Sequence, residues 1–280
     1  LAAVSCAVSF GGHILMARNC HKSAYHAAYL RHLHTEFLYP GILSEYGITD
    51  AVSALEVGEA LERTPDIDAV LIVSPTYEGR IADVAAIAGV AHEKGIPLIV
   101  DEAHGAHLGL AEGFPQNSCQ AGADLVIHSV HKTLPALTQA GLLHVNGRLI
   151  DRDKLRRFLR IYQTSSPSYP LMASIDNGLQ YTEKHGREAF AEFLHEYKKM
   201  TERLSACRCL KVLTGKEEEQ DTGKLVVSVR GTVLTGKALY EILLNDYKLQ
   251  MEMASTDFVL AMFTVNDGLE AYNRMTEALL

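Results

Sequence analysis

The sequence predicts an α/β fold: a three-layer sandwich around a mostly parallel sheet, followed by a smaller α+β unit. Three observations carry this. First, short apolar runs (AVLIV at 69–73, PLIV at 97–100, LVI at 125–127) alternate with helix-period segments through the first half of the chain. Near-continuous apolar strands are the mark of a parallel sheet covered on both faces. Second, two of these runs end in polar clusters, at Asp101 and at His128, Ser129, His131 and Lys132. Third, the alternation stops after Asp151, where long amphipathic helices and a late strand–helix–strand–helix pattern take over. These readings divide the chain into a large domain over 1–186 and a smaller α+β subdomain over 187–280.

Taken in order, LAAVSCAVSF reads as a short helix stopped by Gly11–Gly12, and HILMA as a strand leading into RNCHKS. A helix-like stretch from Ser23 to His34 precedes the strand TEFLY. Thr49 or Asp50 is expected to cap a helix that sets Val52, Leu55, Ala60 and Leu61 on one face. The strand AVLIV runs into the turn SPTYEG, and Asp83 caps a helix that stops at Lys94–Gly95. PLIVD, LVIHS and GLLHV follow as strands. Beyond Asp151, DRDKLRRFLRIY is a basic amphipathic helix with a solvated face, and QTSSPSYP a proline-punctuated loop. Two helices are expected next, at 169–185 and from Arg187 to about Leu210. A charged loop, KEEEQDTGK, then leads to the strand KLVVSVR, a helix through ALYEILLND, the strand FVLAMF and a final helix.

Composition excludes several functions. The chain has 280 residues, 48% of them hydrophobic, so it can bury a large core. A net charge of −8 without a basic run gives nucleic acid no footprint. The longest apolar runs are too short to cross a bilayer. No charged segment precedes an apolar one at the start, so a cytoplasmic protein is expected. The five cysteines are scattered and read as reduced thiols. Neither GxGxxG after a strand nor GxxxxGK[ST] occurs, which removes the main support for the common nucleotide folds.

The chemistry gathers at the strand ends. In an open parallel sheet, ligands bind beyond the carboxyl ends of the strands, so Asp101 and Lys132 are expected to share one crevice. Lys132 follows an apolar strand in SVHKT, flanked by uncharged residues. A lysine desolvated in this way has a lowered pKa and can attack an aldehyde as a free amine. Asp101 is suited to keep a pyridinium nitrogen protonated. At ~4 Å and an effective dielectric near 20 that attraction is roughly 4 kcal/mol before desolvation. A lysine and a carboxylate are what pyridoxal 5′-phosphate (PLP) needs from a protein. Ser129 and His131 would then be phosphate donors. His21, at the same sheet edge, could stack on the cofactor ring. His104 and His107, with Asp101 and Glu102, raise a metal reading, but HxxH in a glycine-containing loop is no standard zinc spacing, and no metal is expected. His26, His32, His34 and His92 read as surface residues.

Five segments, RNCHKS, SPTYEG, VDEAHGAHLG, GAD…HSVHKTLPALTQ and QTSSPSYPLMAS, together resemble the major domain of the bacterial ornithine/lysine/arginine decarboxylases. These are PLP enzymes of the aspartate-aminotransferase fold, fold type I. The segments stand in the family's order from Arg18 to Ser174. The resemblance implies that Lys132 forms the Schiff base, Asp101 faces the pyridine nitrogen, His21 stacks on the ring and His104 lies beside the cofactor. Ser129 and His131 become phosphate or near-phosphate contacts. It implies a homodimer or higher homo-oligomer with shared active sites, in which Thr164 and Ser165 reach the neighbour's cofactor. The implied reaction removes CO2 from arginine, lysine or ornithine and leaves a polyamine-pathway amine, agmatine or a diamine. The family's phosphate loop would precede Leu1, and its C-terminal domain is cut short here. The expectation is therefore a fragment truncated at both ends, or a homologue without catalysis. Another fold-type-I activity, an aminotransferase or a lyase, is the remaining alternative.

Overall fold

The structure, a computed structural model, describes residues 1–214 and 219–280. Its elements, numbered along the chain, begin with α1 (Ala2–Ala7), β1 (His13–Ala17), α2 (Lys22–Leu30), β2 (His34–Leu38), β3 (Ile42–Leu43) and β4 (Ile48–Thr49). Next come α3 (Ala54–Arg63), β5 (Ala69–Val73), α4 (Val84–Glu93), β6 (Leu98–Asp101), β7 (Leu125–His128), α5 (Val130–Thr133) and β8 (Leu142–Val145). The second half holds α6 (Arg152–Tyr162), α7 (Tyr169–Leu204), β9 (Lys211–Val212), β10 (Lys224–Ser228), α8 (Gly236–Asn245), β11 (Met253–Ala254), β12 (Phe258–Met262) and α9 (Leu269–Leu279).

Six strands form the main sheet in the order β2-β1-β5-β6-β7-β8. All neighbours are parallel except β8, which closes the edge antiparallel to β7, with Leu125 opposite Val145. Ala69–Ile72 and Leu98–Val100 are buried on both sides, as a sheet covered on two faces requires. Helices α1, α2 and α6 pack together, as do α3 and α4. The chain steps from β1 outward to β2 and then back past β1 to β5. With right-handed crossovers, that reversal puts the two helix groups on opposite faces. It also creates a topological switch point at the carboxyl ends of β1 and β5, where open α/β sheets form their ligand crevice.

A second sheet, β11-β12-β10-β9, is antiparallel throughout. Its core joins Leu225, Val227 and Val259 to Phe193, Tyr197, Met200 and Leu204 of α7, and to residues of α8 and α9.

Three local expectations are corrected. Ser53, rather than Thr49 or Asp50, caps α3. Its hydroxyl accepts from Glu56 N, and the Glu56 carboxylate accepts from Ser53 N, a complete capping box. Asp50 instead accepts from Arg80 Nε at 2.7 Å. The two helices expected on either side of Gly186 are the single α7, ending at Leu204. Gly186 is buried, and a Cβ there would come within 3.3 Å of the Phe190 ring. Close packing at this point offsets the roughly 1 kcal/mol that a glycine costs inside a helix. The division placed at Gly186 thus falls within a helix whose last turns line the second sheet. Of the charged loop KEEEQDTGK, Lys216, Glu217 and Glu218 lie outside the described residues. At its end Asp221 and Lys224 are buried, and Lys224 is the first residue of β10.

The edge of the main sheet opposite the crevice is pinned by Asp124, which is 2% exposed. Its Oδ2 accepts from Leu98 N and pairs with His92 Nε2, both at 2.8 Å. Asp124→Ala leaves a buried N–H without its acceptor, so urea unfolding should show a loss of about 1–3 kcal/mol. A loss below about 0.5 kcal/mol would mean that this bond is not what anchors the strands.

Candidate active site

Three parallel strands deliver the crevice residues. β6 ends at Asp101, in register with Val73 of β5 and Ile127 of β7. Its carboxylate accepts from Ala103 N at 3.2 Å. Burial lifts this carboxyl above the usual carboxylate range, against the backbone bond and the positive potential of His21 and Lys132. β1 leads to His21, which caps α2. Its Nδ1 accepts from Ser23 N and pairs with the Ser23 hydroxyl at 3.0 Å, while the residue stays exposed. β7 leads to Ser129, the N-cap of α5, whose hydroxyl makes no capping bond. On that turn His131 Nδ1 donates to Ala140 O at 2.7 Å, and Lys132 Nζ lies 2.9 Å from His104 Nε2. Burial lowers the Lys132 amine from its ordinary value, against the pull of Asp101 and Glu252.

The second sheet contributes a residue that sequence reading passed over. Lys224 is 1% exposed, and its Nζ lies 2.9 Å from His104 Nδ1. The imidazole is therefore bracketed by two amines. Burial and the two lysines hold His104 at a pKa of about 3, so the ring is neutral. Burial also brings Lys224 down to about 8, although Asp221 and Glu252 favour its charge. The Tyr77 ring meets His104 edge-on, with centroids 5.1 Å apart, and lies 5.3 Å from Lys224 Nζ. Its hydroxyl donates to Glu252. The turn that carries Tyr77 is seated on Lys224: a Cβ at Gly79, where φ is +97°, would come 2.7 Å from Lys224 Cβ. The signal for Lys224 was in the sequence, a lysine beside an apolar strand as at Lys132, but the acidic run before it suggested a solvated loop.

Behind this row stand two further pairs. His107 Nε2 meets Asp221 Oδ1 at 2.9 Å, both buried. Burial opposes the charge on Asp221, but His107 and the bond from Gly223 N hold its carboxyl below the usual range. Glu102 accepts from Ser118 N, from the Ser118 hydroxyl and from His128 Nε2 at 2.6 Å, and His128 Nδ1 meets His144 Nε2 at 3.0 Å. His104, His107 and Glu102, weighed in the sequence as metal ligands, thus each have protein partners.

The structure brings together Asp101, Lys132 and His104, with His21 near enough to act on the Asp101 carboxyl and Ser129 and His131 on the turn that carries Lys132. Thr164 and Ser165 are exposed between α6 and α7. Thr164 Oγ1 bonds locally to Ser166 N, at 3.1 Å, and no described bond of either residue reaches the crevice of its own chain.

Comparison with known proteins agrees with this architecture. The sequence profile of the Orn/Lys/Arg decarboxylase major domain matches residues 1–256. An arginine decarboxylase of Bacillus subtilis is 32% identical over 275 residues, which cover 96% of this chain and 56% of that protein. One from Bacillus cereus is 30% identical, over 96% and 60%. The chain thus spans little more than half the length of these relatives. Among solved structures, the constitutive lysine decarboxylase of E. coli superposes with a TM-score of 0.80 at 17% identity, covering 99% of this chain and 46% of that one. An alanine–glyoxylate aminotransferase from Nostoc superposes at 0.75 with 18% identity, over 99% and 77%. Both likenesses speak for the shared fold. With its profile match, its sheet order and its crevice, the chain belongs to the Orn/Lys/Arg decarboxylase family, as part of the family's major domain.

Proposed function

We propose that this chain forms the PLP-binding core of a basic-amino-acid decarboxylase, with Lys132 as the residue that holds the cofactor and Asp101 as the partner of its ring nitrogen. The observation that carries the reading is the convergence of a half-buried carboxylate and a desolvated amine at the carboxyl edge of the sheet. The donor set fits the group. Asp101 is half-buried, and its carboxyl is raised because the neighbouring positive groups do not fully offset its desolvation. A protonated ring nitrogen would supply the missing positive charge. Lys132 lies against a neutral imidazole, which can accept or donate a proton at its amine. When bound, PLP supplies an electron sink for the pair left behind as the substrate carboxylate departs as CO2.

The chain's own residues divide the remaining work. Asp101 stabilises positive charge at the ring nitrogen, and His21 offers an exposed imidazole for stacking. Ser129 and His131, on the turn that carries Lys132, are assigned to the phosphate. His104 orients the Lys132 amine and moves its proton. The walls contributed by Tyr77 and Lys224 limit water around the reacting atoms. Thr164 and Ser165 are assigned to the site of a second copy. The exposed Tyr169, Met172, Leu179 and Tyr181 of α7 give a homodimer apolar surface to bury. Arginine is the first substrate to test, since the relatives that align over 96% of this chain are named arginine decarboxylases. Its product, agmatine, would enter polyamine synthesis, and a cytoplasmic location accords with that role.

Titration of the purified chain with PLP should give a saturable visible band that Lys132→Ala abolishes. CO2 release is then measured with arginine, lysine and ornithine. A band that survives Lys132→Ala would refute the assignment. Asp101→Asn should retain the band and lower decarboxylation by roughly a hundredfold or more, the scale of a lost electrostatic stabiliser. Activity within a few-fold of the parent would remove Asp101 from its role.

A further inference from the structure

The row Lys132–His104–Lys224 poses a hydrogen-bonding problem with a restricted solution. Both contacts are 2.9 Å, one to each ring nitrogen. A neutral imidazole carries one N–H and one lone pair, whereas an ammonium group only donates. With the ring neutral, both bonds form only if one amine donates and the other accepts. The accepting lysine must then be a free amine, and where the pair holds one charge the donating lysine carries it.

We propose that Lys224 is a positioning residue for Lys132, sharing a single proton with it through His104. Two arrangements of equal net charge satisfy every bond. In one, Lys132 is the ammonium and donates to Nε2, while Nδ1–H donates to the free amine of Lys224. In the other, the proton of Lys132 has passed to Nε2 and the Nδ1 proton to Lys224. Lys132 is left as the free amine, receiving a bond from Nε2–H. No water and no net charge enters the crevice in this exchange, and Lys132 becomes nucleophilic without releasing a proton to solvent.

The surroundings suit the two ends to these roles. Facing Lys132 are Asp101 from β6 and Glu252 from the segment before β11. Facing Lys224 are Asp221, Glu252 and Glu78, and the Tyr77 ring presents its π face 5.3 Å from Nζ. Around His104 itself are the two lysines, Asp221 and His107. Lys224 thus has three carboxylates and an aromatic ring to accommodate a proton taken from Lys132. Burial opposes that charge and brings the Lys224 amine down to about 8, so the proton can also return to Lys132. This inference rests on the reading of Lys132 as the cofactor's lysine, but the proton sharing is a property of the polypeptide alone.

The test is competitive acetylation of the full chain with acetic anhydride across pH, after dialysis against hydroxylamine, read at the Lys132 peptide by mass spectrometry. Because the pair titrates as a unit, Lys132 in the parent should label in two steps, the first near neutral pH. Lys224→Met removes the receiving amine, so the first step should vanish, with labelling at neutral pH down about tenfold and recovered at strongly alkaline pH. Lys224→Arg keeps a permanent donor on Nδ1, so the profile should become a single step at low pH. Neutral-pH labelling in Lys224→Met within about twofold of the parent overturns the proposal. If neither variant folds, the 15N shifts of the His104 ring in the parent decide. A ring that stays neutral and exchanges between tautomers as pH rises supports the shared proton, and one that protonates in the ordinary histidine range overturns it. Addition of PLP separates this inference from the cofactor reading: a two-step profile without a visible band counts against the cofactor reading alone. A band with a Lys132 profile insensitive to Lys224 counts against the shared proton alone.

Discussion

A neutral imidazole held between two amines is the interaction on which the rest of the crevice depends. His104 lies just past the end of β6, Lys132 on the turn after β7 and Lys224 at the start of β10. Its two bonds therefore tie neighbouring parallel strands of the main sheet to the second sheet. Burial drives the arrangement, because an unpaired ammonium is expensive away from water. Each amine consequently needs a partner, and a ring with one donor and one acceptor serves both without adding charge. Asp101 and Glu252 near Lys132, and Asp221 and Glu78 near Lys224, keep the balance of charge close to neutral.

The scaffold supplies the precision. Asp101, Ser129 and Lys132 sit at or just beyond strands whose register is set by continuous apolar packing, with Ile99 opposite Leu125 and Val70 opposite Leu98. At the far edge of the sheet, Asp124 fixes the start of β6. At the near edge, the turn from Thr76 to Arg80 is closed by the bonds of Arg80 N to Thr76 Oγ1 and of Arg80 Nε to Asp50, and it rests on Lys224 through Gly79. The same strands that form the core thus end in the groups proposed to carry chemistry. A second row, Glu102–His128–His144 and His107–Asp221, keeps ionisable groups paired behind them.

Much of this was readable in the chain. The apolar runs at 69–73, 97–100 and 125–127 specified the central strands because a doubly covered sheet needs that composition. Asp101 and Lys132 stood out because each interrupts an apolar context with a charge. Asp83, as a cap followed by a helical period, was readable for the same reason of local chemistry. Other features were not local. Gly186 signals a break by propensity, yet α7 runs through it, at a point where the Phe190 ring leaves little room for a side chain. The antiparallel direction of β8 is not encoded in LLHV, which is equally suited to either pairing. Lys224 was hidden because its burial depends on His104, a residue 120 positions away, while its sequence neighbours are acidic and polar. Thr164 and Ser165 came forward through resemblance alone, since nothing within one chain connects their loop to the crevice.

Two lysines flank one imidazole, and the chemistry of the crevice turns on which of them holds the cofactor. Incubation of the chain with PLP, reduction with borohydride and peptide mapping by mass spectrometry would answer this directly. A single modified peptide carrying Lys132, at the carboxyl edge of the sheet near Asp101, is the expected result. Modification confined to Lys224, or spread over surface lysines without preference, would contradict it.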